Sequence, residues 1–187
     1  MNNKLQVTPV ESICKWNDER YNQEFSASLT ISLLEEELGE TATAKNNSDT
    51  IEVLDGLGDT FYVAVGALWK TGLSHEQITS LLDNVKESMP ALPSPTVALS
   101  WYKDDQTQLV LAILAVSCLH QLETELQSET LAMNVITAIC ISNNTKTATK
   151  THKDIKASID KGDGFIAPTD MLKTILRESK SPVGVRS

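Results

Sequence analysis

Apolar residues recur at spacings of three and four along most of this chain, and nowhere do they alternate with polar residues between hairpin-type turns. The first pattern gathers side chains into a stripe on a helix, and the second, which a half-buried strand needs, is missing. The chain is therefore expected to be all-α. A first helix is expected over about Val10–Phe25 and a second over about Ser28–Lys45, ended by Asn46-Asn47-Ser48. Ser48 or Asp49 caps a third helix, which runs to about Thr71 with Gly72 as its C-cap. Ser74 caps a fourth, with Glu76 and Gln77 in its first turn. Pro90, Pro93 and Pro95 make a loop of the next segment. A fifth helix opens at Asp104 or Asp105 and reaches about Leu126, a sixth covers Ser128 to about Asn143, and a short last one covers Pro168–Glu178. Residues 144–167 are polar and lysine-rich, and residues 179–187 read as a frayed end.

A chain of 187 residues suits a single domain, residues 1–187, around one core, and no internal repeat is visible. The longest apolar stretch, Leu109–Leu119, is too short to cross a bilayer, and Met1–Val10 lacks a secretory pattern. Cys14, Cys118 and Cys140 form neither a CxxC nor a Cys/His metal spacing, and all sit in apolar-periodic stretches. They read as reduced core thiols, and a cytoplasmic location without membrane attachment is expected.

The net charge of −9 argues against a nucleic-acid partner. The charge is also unevenly placed. Between Glu35 and Asp59 stand eight acids and one base, Lys45, whereas Thr145–Ser187 carries nine bases and five acids. An acidic, cation-binding centre served by basic residues that hold an anionic substrate accounts for that asymmetry; a solvated acidic helix with a basic tail is the plainer account.

The acids are arranged. Glu35-Glu36-Glu37-Leu38-Gly39-Glu40 lies on the second expected helix, and Glu52-Val53-Leu54-Asp55-Gly56-Leu57-Gly58-Asp59 on the third. At about 100° per residue, Glu37 and Glu40 are about 60° apart, Glu36 and Glu40 about 40°, and Glu52, Asp55 and Asp59 share a sector of about 60°. A short connection makes the helices antiparallel neighbours, so the two carboxylate stripes can face each other. Facing carboxylates repel unless a cation lies between them, and an all-oxygen donor set suits Mg²⁺. The expected metal ligands are Glu37, Glu40 and Asp59, with Asp55 as a fourth and Glu52 beside them. Gly39, Gly56, Gly58 and Gly66 cost about 1 kcal/mol each inside a helix and imply close approach of backbone or ligand.

At these residues the chain resembles the all-α nucleoside triphosphate pyrophosphohydrolases, the superfamily of MazG proteins, dimeric dUTPases and phosphoribosyl-ATP pyrophosphohydrolases. Its members carry EExxE on one helix and ExxD on the next. Glu36, Glu37 and Glu40 match the first motif, and Asp59 the end of the second, but Gly56 stands three residues before it. Either Glu52 and Asp55 supply the ExxD, or Asp55 with Asp59 replaces it. The latter resembles a phage and bacterial branch, phosphoribosyl-ATP pyrophosphohydrolase-like, in which D-x-L-x-D precedes an aromatic and a glycine; here these are Asp55-Gly56-Leu57-Gly58-Asp59, Tyr62 and Gly66. That branch also has S-N-x-[ST]-K and then K-G-x-x-[YF]-x-x-P-[DE]. The chain has Ser142-Asn143-Asn144-Thr145-Lys146, then Lys161-Gly162-Asp163-Gly164-Phe165-Ile166-Ala167-Pro168-Thr169, with Asp170 following the departure at Thr169. The resemblance spans roughly residues 17–83 and 133–176; residues 90–127 fall outside it and read as an insertion.

The resemblance implies a MazG-like helical bundle with paired acidic helices, completed by dimerisation, as a homodimer or tetramer. It implies Mg²⁺-dependent hydrolysis (Mn²⁺ serving as an alternative) of a nucleoside triphosphate, in particular a deoxynucleotide, to the monophosphate and pyrophosphate. Glu36 would take the proton of the attacking water. Lys146 and Lys161 would neutralise phosphate, Asn143 would reach a phosphate or ribose oxygen, Phe165 would shape the nucleotide pocket, and Asn17 lies where relatives contact the base. Two other readings stand beside it. One is hydrolysis of phosphoribosyl-ATP itself. The other, motivated by Gly56 and residues 90–127, is a helical regulatory or interaction module that kept the fold without turnover. Trp16, Trp69, Trp101 and Met133 read as packing residues, and His75, His120 and His152 share no ligand spacing.

Overall fold

Small polar caps set the helix boundaries in the computed structural model, which describes residues 7–148, 159–160 and 163–181. Thr8, Ser26, Asp49, Ser74, Ser94 and Ser128 each turn a side-chain oxygen onto a first-turn backbone N–H, satisfying a donor that the helix itself leaves unpaired. Eight α-helices form among the described residues: α1 (Pro9–Asp18), α2 (Ala27–Asn46), α3 (Thr50–Lys70), α4 (His75–Ser88), α5 (Pro95–Ser100), α6 (Thr107–Leu126), α7 (Glu129–Asn144) and α8 (Thr169–Ser179). Ser74 and Gln77 close a reciprocal capping box on α4, and Ser48 takes a left-handed conformation (φ 57°) between α2 and α3. The chain is all-α. Thr147–Ala148 and Ile159–Asp160 add only a two-residue antiparallel pairing.

Three boundaries differ from the sequence reading, each for a local reason. The first helix stops at Asp18, and the chain leaves it through a turn in which Asn17 O accepts from the N–H groups of Arg20 and Tyr21. Tyr21 and Phe25, which a longer helix would include, leave it to pack against the core. Pro95 lies in α5, not in a loop: Ser94 caps that helix and the proline occupies its opening, where a missing N–H costs nothing. Asp104 and Asp105 form a 3₁₀ turn ahead of α6, which starts at Thr107.

The bundle is built around α3. It packs on α1, α2, α6, α7 and α8, and its Leu54, Leu57 and Leu68 are fully enclosed with Leu111, Leu114 and Leu122 of α6 and Ile136 and Ile139 of α7. Residues 90–127 supply α5 and α6, so this stretch contributes to that same core. With its preceding turn, α6 is long and apolar enough to span a bilayer by composition, yet Val110–Cys118 is buried inside the bundle. The three thiols are buried and free, and burial pushes Cys14 up to about 11 and Cys140 up to about 12. Trp16 and Trp69 are buried, as a packing role requires. Trp101 and Met133 are exposed instead: one is the C-cap residue just after the six-residue α5, the other lies on the outer face of α7.

Glycine sets the spacing between α2 and α3. A Cβ at Gly56 would collide with Thr41 Oγ1, a hydroxyl that itself donates to Glu37 O at 2.8 Å. The glycine standing where the family motif has an acid is thus a contact point between the two acidic helices. Gly58 meets Ile139 in the same way, whereas nothing approaches Gly39 within 4 Å, so close approach does not explain that residue.

Candidate active site

Where α2 and α3 cross α1 and α7, they leave a cavity of about 230 Å³. Its walls change character along its length. Leu29 and Leu33 of α2 and Val63 and Ala67 of α3 form an apolar wall. Opposite stand Trp16 and Tyr21, tilted against each other with ring centroids 5.6 Å apart, and Tyr62, edge-on to Trp16 at 5.9 Å. Glu37, Asp59, Asn143 and Lys146 close one end, and Lys70 also lines the cavity.

The acidic end is electrostatically crowded. Glu37 is half-buried, and burial together with the negative charge of Asp59, Glu40 and Asp55 pushes its carboxyl up to about 8, against the opposing pull of Lys146. These four acids and one lysine are therefore close enough to act on a single group. Asp55 and Asp59 lie half-buried on the largely enclosed α3, with one Asp55 oxygen shut off from solvent. Glu40 stands exposed at the rim. Glu36 and Glu52 are exposed as well, and neither is among the charges acting on Glu37.

The acidic end suits a divalent cation. The donors are all carboxylate oxygens, burial and then the accumulated negative charge raise the proton affinity of Glu37, and the oxygen-only, acidic donor set fits a hard ion such as Mg²⁺. Among the described residues, no three acid, histidine or cysteine side chains converge tightly enough to grip an ion as they stand. Mutual repulsion spreads such a set, and Mg²⁺ commonly takes only one or two carboxylates, with waters and substrate phosphates completing its octahedron.

The distant parts of the chain meet at Asp59. Asn143 is buried; its Nδ2 donates to Asp59 Oδ1 at 3.4 Å and to Ile139 O at 3.1 Å, and its backbone carbonyl accepts from Trp16 Nε1 at 3.0 Å. Asn143 therefore links α1, α3 and α7 around the acidic end. Asn17 is also buried and lines the cavity, but its Nδ2 donates back to Ile13 O at 2.9 Å. It rests on Gly66, where an added Cβ would come within 3.1 Å of that nitrogen. Phe165 is half-buried in a segment tied to α7 by Ile166 N donating to Thr145 Oγ1 at 2.9 Å, and it is not part of the cavity wall. Lys161 lies outside the described residues.

Sequence reasoning missed Tyr21, Tyr62 as a wall residue, and Lys70. Two of them carried a usable signal. Continuing the helical stripe beyond Asp59 places Tyr62 about 60° to one side of it and Lys70 about 20° to the other. Tyr21 had none, because the turn after α1 brings it in.

The helices that form the acidic end of the cavity also resemble a known family. The family described as phosphoribosyl-ATP pyrophosphohydrolase matches residues 4–88, so the stretch that carries the two acidic helices is similar to that family. No curated protein and no solved structure matches the chain. The matched stretch ends with α4, so Asn143 and Lys146 reach the cavity from outside it.

Proposed function

We propose that this protein is a Mg²⁺-dependent nucleoside triphosphate pyrophosphohydrolase that acts on deoxynucleotides and releases the monophosphate and pyrophosphate. The observation that carries this reading is the crowding of Glu37 by Asp59, Glu40 and Asp55 at one end of an aromatic-walled cavity that also holds Lys146. An acid cluster beside a lysine suits a polyanion that arrives with its divalent counter-ion, and the apolar, aromatic remainder suits a nucleoside.

Glu37, Glu40, Asp55 and Asp59 would hold Mg²⁺, with Glu52 further out. When bound, the ion neutralises phosphate charge and lowers the pKa of water. The residues of the chain account for the rest. Asn143 holds the Asp59 carboxylate in place. Lys146 places a positive charge where outer phosphate oxygens would lie. Water adds to phosphorus at the bridge between the α- and β-phosphates, the bridging P–O bond breaks, and monophosphate and pyrophosphate separate. The water's proton would pass to a carboxylate of the acidic end; Glu36, which the resemblance implies for this role, is exposed and does not line the cavity.

The matched family itself supports a second substrate, phosphoribosyl-ATP. Pyrophosphate release measured on a panel of NTPs, dNTPs and phosphoribosyl-ATP, with and without Mg²⁺, separates the two. Release from none of them would leave the non-catalytic reading. The homodimer implied by the resemblance is checked by light scattering on the same samples.

A further inference from the structure

The far part of the cavity holds two polar groups that the reaction does not use. Tyr62 is 8% exposed, lines the cavity, and its hydroxyl has no hydrogen-bond partner among the described residues. A buried, unsatisfied hydroxyl is costly, and this one, closed off from solvent behind the cavity wall that the Tyr62 ring forms, is relieved by a ligand group that reaches it when the cavity is filled. Lys70 is the second. It lines the same cavity, half-buried in the last turn of α3, with Nζ 4.8 Å from the centroid of the Tyr21 ring. Among the described residues no carboxylate lies within ion-pair distance of it, although exposed Glu24 borders the same cavity. Burial lowers its proton affinity without a charged partner to raise it.

Geometry orders these groups along one face of α3. At about 1.5 Å per residue, Tyr62 lies about 4.5 Å along the helix from Asp59 and Lys70 about 16 Å, close to the span of an extended nucleotide from its phosphates to the far edge of its base. Phosphates at Asp59 put the sugar beside Tyr62, the base between the aromatic and apolar walls, and its exocyclic substituent at Lys70. An ammonium has three donors and no acceptor, so it favours a keto oxygen at that edge and repels an amino group.

Resting on the nucleotide reading above, we propose that substrate lies along the Asp59–Lys70 face of α3, a sugar hydroxyl bonded to Tyr62 and the base edge to Lys70. The site thereby selects bases with a keto group where adenine and cytosine carry an amino group.

Two near-isosteric pairs test this, dUTP against dCTP and dITP against dATP, as non-hydrolysable α,β-methylene analogues titrated by calorimetry in Mg²⁺. Wild-type protein should bind the keto member of each pair about 10–100-fold more tightly, the range of one charge-assisted hydrogen bond. Lys70→Met, which keeps the apolar stem, should abolish that preference by weakening the keto members. Tyr62→Phe should weaken 3′-hydroxyl nucleotides about tenfold and leave their 2′,3′-dideoxy counterparts unchanged. Equal wild-type affinities within each pair, or a preference that survives in folded Lys70→Met, would overturn the base assignment. Equal weakening of hydroxyl and dideoxy forms by Tyr62→Phe would overturn the sugar contact. Binding of every nucleotide without discrimination sinks this inference alone, whereas binding of none removes the proposed function with it.

Discussion

Two clefts of this bundle carry charge, and they treat it differently. Beside the loop that follows α4, a cleft is bordered by Lys86, His120 and Glu123. There Lys86 lies 3.2 Å from Glu123 and 2.8 Å from Glu129, and His120 lies 3.7 Å from Glu123. In the α2–α3 cavity, Glu37, Lys70 and Lys146 line the wall and none of them forms an ion pair among the described residues. Charges paired within the protein complete a surface. Half-buried ionisable groups left without such partners are expensive to keep in their charged forms, and a site that receives a charged ligand gives them a use. Having space does not distinguish the clefts; the state of their polar groups does.

The sharpest way to break this contrast is at the acidic end. Asp59→Asn removes a carboxylate that acts on Glu37 and receives Asn143. It should lower kcat/KM for pyrophosphate release by about 10²–10³-fold or more and weaken Mg²⁺ binding, since even supporting groups around a metal are worth about 10–100-fold. Activity and Mg²⁺ affinity close to wild type in this variant would remove the acid cluster from the mechanism.

A smaller effect is expected at Lys146. Replacement by Ala should reduce kcat/KM about 10–100-fold while Mg²⁺ affinity without nucleotide hardly changes. A matching loss of metal affinity would mean that the lysine acts through the acids and not on substrate.

Proton uptake offers a third test. The Glu37 carboxyl is held at about 8 in the folded protein against an ordinary 4.5. The native state therefore binds more protons than the unfolded chain between those values. The stability this contributes is complete below about pH 4.5 and is lost as pH rises through about 8. Metal-free protein should melt several degrees lower at about pH 8 than at about pH 5, Glu37→Gln should flatten that fall, and millimolar Mg²⁺ should restore much of the loss by binding only the native state. The facing groups Asp59, Glu40, Asp55 and Lys146 set the size of the effect, and a pH response unchanged in Glu37→Gln would show that they, and not Glu37, carry it.

The smallest change belongs to the other cleft. Lys86→Met removes exposed ion pairs of the kind that contribute little, so pyrophosphate release should stay within about twofold of wild type and the melting temperature within a few degrees. A large loss of activity from this variant would erase the distinction between the clefts.

The residues themselves show how far the sequence reaches. Serine, threonine and aspartate caps, together with the apolar period, place most helices within a residue or two, because both signals act over one or two turns. The EExxE run and the Asp55–Asp59 run are legible for the same reason. Which members of those runs gather is a different matter. Glu37 and Asp59 meet at the cavity, while Glu36 and Glu52 stay in solvent. Neighbouring acids on one helix point about 100° apart, and only the packing of Gly56 on Thr41 decides which of them face the next helix.

Sequence alone thus determined the all-α class, most of the helix ends and the presence of two acidic helices joined by a short turn. Tertiary structure alone decided that Asn143 would hold Asp59, that Trp16 and Tyr21 would wall the cavity, and that Lys70 would line it without an ion-pair partner among the described residues. Local pattern sets the direction of each side chain from its own helix. Contacts between residues 84 and 127 positions apart, as in Asn143–Asp59 and Trp16–Asn143, depend on how whole helices pack, and no short stretch of sequence encodes that.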